Sequence, residues 1–189
     1  MIGRLFGRTK PRDRLIADLH GRISAAARVP ALYTALGVPD TVEGRFECLS
    51  LHVILVLRRL HRLPAPADEV AQDLVNAVFL QLDSSLRESG IGDFGVPKRM
   101  KKLGAAFYGR AAGYDAALDA GDADALATVL ARNVLGHGGA EGAAGLARYV
   151  AASDRALSGL DLDTLVGTGP VFASLERTAG PADHPGDLR

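Results

Sequence analysis

Cysteine is almost missing from this chain. Cys48 stands alone, which excludes an internal disulfide and any CxxC metal or redox site. It lies inside an apolar helical pattern and reads as a small buried hydrophobe. Tryptophan is absent, and aromatic residues make up only 5% of the chain. Neither sign of charge is in excess, with 22 Lys and Arg against 22 Asp and Glu. Bulk electrostatics therefore give no reason to expect nucleic-acid binding, and DNA is not an expected partner. Long apolar runs are also missing. The longest strongly apolar one, Val53–Leu57, has five residues, against the ~20 needed to span a bilayer. At the N-terminus, Arg4, Arg8 and Lys10 interrupt any signal-peptide core. These absences predict a soluble, cytoplasmic protein.

Catalytic signatures are missing as well. The glycine-rich stretch at 136–145, GHGGAEGAAG, lacks the lysine and hydroxyl of a phosphate-binding loop, and it follows a helical pattern where a Rossmann turn would follow a strand. No GxSxG elbow is present. The five histidines, His20, His52, His61, His137 and His184, form no HExxH or Glu-x-x-His pair and no Cys/His cluster. We expect no enzyme activity, no cofactor and no metal.

What is present is helical. Hydrophobic residues reach 48% of 189, many of them alanine and leucine, with few β-branched runs. That length fits one domain. The predicted fold class is all-α, a single compact domain of seven or eight helices over residues 11–176, between a mobile basic arm at 1–10 and a disordered tail at 177–189. Leu15, Ile16, Leu19 and Ile23 mark a first helix, and Pro30 opens a short second one. Asp40 or Thr41 caps a third, which runs to Leu60 and is apolar nearly all round, as a central core helix must be. Arg58, Arg59 and Arg62 close it, where the dipole favours cations. A fourth helix runs from near Pro66 to Ser89, a fifth from Pro97 to Ala120, a sixth starts after Asp122, a seventh spans 141–158, and a short turn lies at 161–166.

The start of the fifth helix is unusual. Lys98, Arg99, Lys101 and Lys102 crowd its first turn, where the positive end of the macrodipole disfavours cations by roughly 0.3–1 kcal/mol each. Two readings are open. The cations contact a partner, or they pair with Asp83, Glu88 and Asp93 and lock two helices together. Arg99 is the expected structural member, with Lys98, Lys101 and Lys102 facing solvent opposite the Met100–Leu103–Phe107 stripe. Phe107, Tyr108, Arg110 and Tyr114 form an aromatic–cation group further along. It is either part of a groove, or a core pair with Arg110 stacked on Tyr108. Glu43 and Glu47 read as helix-start acids around Phe46, and Arg45 between them has no settled role.

Three blocks carry a family resemblance: TVEGRFECLSLHVILVLRRL, QLDSSLRESGIGD and VPKRMKKLGAAFYGRAAGYDAAL. In this order they resemble the ubiquinol–cytochrome c chaperone family, over about residues 30–160. The resemblance implies an all-helical assembly factor of the cytochrome bc1 complex that uses no cofactor. The implied partner is newly made cytochrome b, held until haem and further subunits arrive. Mitochondrial members are understood to work near the ribosomal exit with a small helper protein. This chain lacks a long presequence and looks like the compact bacterial form, placed in the cytoplasm or at the periphery of the inner membrane. The partner-binding candidates are Lys98, Arg99, Lys101, Lys102, Tyr108, Arg110, Asp93 and Arg45. The alternative is an adaptor whose arm and basic turn dock on a ribosome or an anionic membrane surface, with Ile2, Leu5 and Phe6 as shallow anchors.

Overall fold

A computed structural model of the protein describes residues 11–88, 95–136 and 140–174. The arm at 1–10, the tail at 177–189 and the loop carrying Asp93 lie outside the described residues. The described residues fold into eight α-helices with no strand among them: α1 (Pro11–Ala26), α2 (Pro30–Thr34), α3 (Val42–Leu60), α4 (Ala67–Glu88), α5 (Gly95–Ala120), α6 (Ala123–Leu130), α7 (Ala140–Ser158) and α8 (Leu162–Gly167). A π-helical turn, Ala131–Leu135, prolongs α6 and ends at Gly136, whose φ of +69° reverses the chain.

The expected all-α fold is what forms. Local chemistry accounts for several boundaries. The Thr41 hydroxyl accepts the Gly44 N–H at 3.0 Å and starts α3. Asp122 accepts from the amides of Asp124 and Ala125 to start α6, and Asp161 accepts from that of Thr164 to start α8. Asp40, the other predicted cap of α3, instead pairs with Arg45. α5 begins at Gly95, two residues before the predicted start, because Val96 is fully buried and draws the first turn inward.

α3 is the axis of the molecule. Every residue from Leu51 to Arg58 is buried. Around it run α1, α4, α5, α6 and α7, each packed on the next, with α1, α4, α5 and α7 also touching α3, and α8 resting on α1. Leu19 and Ile23 of α1, Leu74 and Val78 of α4, Phe107 and Tyr114 of α5, and Leu146 and Val150 of α7 complete the core. Leu15 and Val42, read as core positions from their spacing, are exposed. Val42 is the first residue of α3, and Leu15 lies on the outer face of α1 beside the buried Ile16. Gly44 has a steric reason: a Cβ there would collide with the backbone carbonyl of Pro39, which the α2–α3 connection presses against the helix.

A buried polar chain crosses this core. The His52 ring is fully enclosed. Its Nδ1 donates to the Cys48 carbonyl at 2.7 Å, which leaves Nε2 to accept the Tyr149 hydroxyl of α7 at 2.8 Å. Phe172 packs edge-on against the imidazole at 4.8 Å, and the Ala173 amide donates to the buried Ser153 hydroxyl at 3.1 Å. The strand-like segment 170–174 is thereby fastened over the α3–α7 seam. Burial holds the imidazole neutral and lowers its pKa to about 4. Burial also pushes the Cys48 thiol up to about 12, so the predicted inert, buried cysteine is what the structure has.

Two outcomes follow. Gly44→Ala is expected to destabilise the fold by about 1–3 kcal/mol, read by urea denaturation, because the colliding atom is backbone and cannot swing away. For His52, the folded pKa lies below the unfolded one, so the unfolded state binds more protons between them. Stability is then full above about pH 6.5 and falls as pH drops toward 4. The expected slope is on the order of 1 kcal/mol per pH unit, and His52→Gln should reduce it. His20, lowered chiefly by burial, adds to the same slope, so reduction rather than abolition is expected.

Candidate partner-binding surface

α5 lies against α4 through an aromatic contact. Phe79 meets Phe107 edge-on at 5.8 Å, and Phe107 meets Tyr108 at 5.6 Å. With Phe107 turned inward, the helical repeat directs Lys98, Lys101, Lys102, Ala105, Tyr108, Gly109 and Ala112 outward, and each is exposed. Tyr108 is 58% exposed, and Leu80 of α4 is 70% exposed. One side of α5 therefore carries cations at its start and an aromatic ring with small residues beyond.

The four cations make no ion pair among the described residues. Asp83, one of the proposed partners, is held by Arg87 at 2.7 Å on its own helix. Glu88 is exposed and pairs with none of them. The reading in which the basic turn locks α4 to α5 through these two acids does not hold. Arg99, expected to be the structural member, is as exposed as the three lysines. The dipole cost is smaller than anticipated, because α5 starts at Gly95 and only Lys98 falls in its first turn.

Arg110 does something else. It turns away from Tyr108 and pairs with Glu47 of α3, both largely buried, at 2.5 Å. The expected stacking of Arg110 on Tyr108 is absent, and Glu47 is not a dipole-satisfying acid of the helix start. Burial raises the Glu47 pKa, and Arg110 draws it back only in part. Arg110 is thus a joint between α3 and α5. Arg45, another candidate, pairs with Asp40 at 2.7 Å on the exposed start of α3, far along the sequence from the basic turn.

A second arginine site was not foreseen. Arg58, read as a last-turn cation of α3, is buried, with its side chain only 5% exposed. Its guanidinium reaches Asp115 at 2.9 Å and Asp119 at 2.6 Å on α5, and Asp154 at 2.9 Å on α7. Arg62 shares Asp119 at 2.7 Å, and Arg59 donates to the Leu160 carbonyl. The signals were present in the RRLHR end of α3 and the acidic stretch from Asp115. Nothing local joined them.

The chain matches the ubiquinol–cytochrome C chaperone family over residues 34–172. It belongs to that family. Arg45, the four cations, Tyr108 and Arg110 all lie inside the matched span. Among solved structures, the protein is similar to the Cbp3 homolog from Brucella abortus, at 39% sequence identity and a TM-score of 0.79, covering 88% of this chain and 92% of that one. No curated protein matches the sequence. Among the described residues, no helix is long and apolar enough to cross a membrane. No group of three His, Cys, Asp or Glu side chains among them could hold a metal ion.

Arg110→Met is expected to cost about 2–4 kcal/mol in chemical denaturation at neutral pH, since it strands a buried carboxylate. The loss should shrink at acidic pH as Glu47 takes up a proton, and the Glu47→Gln/Arg110→Met double variant should recover most of it.

Proposed function

We propose that this protein is an assembly chaperone of the cytochrome bc1 complex that holds unassembled cytochrome b, and that the outer side of α5 is its client surface. The observation carrying this is the set of exposed cations Lys98, Arg99, Lys101 and Lys102, which make no ion pair among the described residues, on the same helix as the exposed Tyr108 and with exposed Leu80 on the adjoining α4, within the span matched by the chaperone family. Four cations clustered within five residues, with no ion pair among the described residues, repel one another and add nothing to the stability of the fold. A chaperone gains a surface that combines charge with apolar contact. A membrane protein caught before assembly presents apolar helix faces next to loop carboxylates and helix C-termini with partial negative charge. Tyr108 and Leu80 suit the first and the cations the second. Binding by surface complementarity needs no cofactor and no reactive centre.

Replacing Lys98, Lys101 and Lys102 with Glu is expected to weaken capture of cytochrome b segments at least tenfold, while unfolding free energy stays within about 1 kcal/mol, as for most exposed positions. Crosslinking pull-down and blue-native gels of bc1 in the variant strain read both ends of the claim. Undiminished capture by the triple variant overturns the surface assignment. Binding that ignores client identity and collapses with salt instead favours an adaptor for ribosomes or anionic membranes.

A further inference from the structure

A groove runs along α6 and α7 on a different part of the molecule, with the 171–174 segment as its rim. Its cavity volume is about 780 Å³. The floor is made of methyl groups: Ala127 of α6, and Ala144, Ala147 and Ala151 of α7. Val171, 55% exposed, and Phe172 add apolar surface at the rim. Arg148 and Arg155 stand along the same side of α7. Both are exposed, and neither makes an ion pair among the described residues. Among the described residues, the sole acid in the lining is Asp124, at the start of α6.

We propose that this groove docks an amphipathic, acidic helix of a partner protein. Seven residues separate Arg148 from Arg155, which is two helical turns or about 10.5 Å along the axis. Carboxylates at i and i+7 of a second helix have the same spacing. An alanine floor has no long side chains to hold the partner off, so the two backbones can approach toward the short end of the usual 8–10 Å. The partner's apolar stripe fills the groove while its acids pair with the two arginines. A single anionic lipid headgroup would engage one arginine and leave the other unpaired, which is why a helix is the better fit. This site is independent of the α5 client surface, and its partner need not be the client.

The test uses three fluorescein-labelled 18-residue helical peptides with one leucine stripe and, at two positions seven apart, Glu, Gln or Lys. They are titrated into the full-length protein, with isotope-edited NMR locating the contact. The Glu peptide should bind at least tenfold more tightly than the Lys peptide, with the Gln peptide between, and the shifts should centre on Ala147, Ala151 and Val171. R148E/R155E should reverse the order. Ala151→Trp should fill the groove and abolish binding at unchanged Tm, whereas the Lys98, Lys101 and Lys102 triple variant should bind normally. Absence of Glu-peptide binding, a missing charge order, or shifts centred on α5 would overturn the proposal. So would displacement of the peptide by phosphatidylglycerol vesicles, binding only after deletion of residues 175–189, or dimerisation that competes with the peptide. Those results would assign the groove to lipid, to the chain's own tail or to a second copy.

Discussion

Burying the middle of α3, from Leu51 to Arg58, on every side is the constraint around which the other helices are arranged. A helix buried all round would ideally be wholly apolar, yet this one carries His52 and Arg58 into the interior. Each must be satisfied there, because an unpaired buried polar group costs more than its hydrogen bonds return. Tyr149 and the Cys48 carbonyl serve His52. Three aspartates serve Arg58. Apart from the Cys48 carbonyl, which belongs to α3 itself, those partners stand on α5 and α7, so the same contacts that satisfy the buried groups also fix how those two helices sit on α3. Glu47 and Arg110 form a further joint on the α3–α5 seam through one contact, with Glu47 Oε2 and Arg110 Nε finding no partner among the described residues.

This arrangement separates the charges that hold the fold from those left free. Arg58, Arg62 and Arg110 are consumed by carboxylates of neighbouring helices, and Arg45 by Asp40. Lys98, Arg99, Lys101 and Lys102 on α5, and Arg148 and Arg155 on α7, keep their charge for solvent or a partner. The protein is neutral as a whole, but among the described residues two groups of cations without ion pairs, on α5 and on α7, share their helices with exposed or groove-lining apolar side chains. Such local imbalance is what a binding protein requires, and net charge alone conceals it.

The candidate surface was partly legible. The basic turn stood out because helix starts normally carry acids, and it is exposed and makes no ion pair among the described residues. Tyr108 proved exposed as well. Arg110 was misassigned because Tyr108, two residues away, was the nearest aromatic in sequence, whereas Glu47 lies 63 residues away. Asp83 entered only one of the two open readings of the basic turn, and the structure gives it to Arg87, its favourably ordered i,i+4 neighbour on the same helix. The α6–α7 groove left no trace in the sequence: alanines at helical spacing read as ordinary core, and only packing reveals that several of them line a groove beside two arginines that make no ion pair among the described residues.

The sequence by itself determined the all-α class, the order of the helices, the cap at Asp122, the central place of α3 and the burial of Cys48. These depend on periodicity and on capping within a few residues, which are local properties. Only the tertiary structure decided which charges are spent. The partners of Arg58, Arg110 and His52 are 57 to 97 residues distant in the chain, and a side chain's choice among several oppositely charged groups depends on distance and burial once the helices are packed.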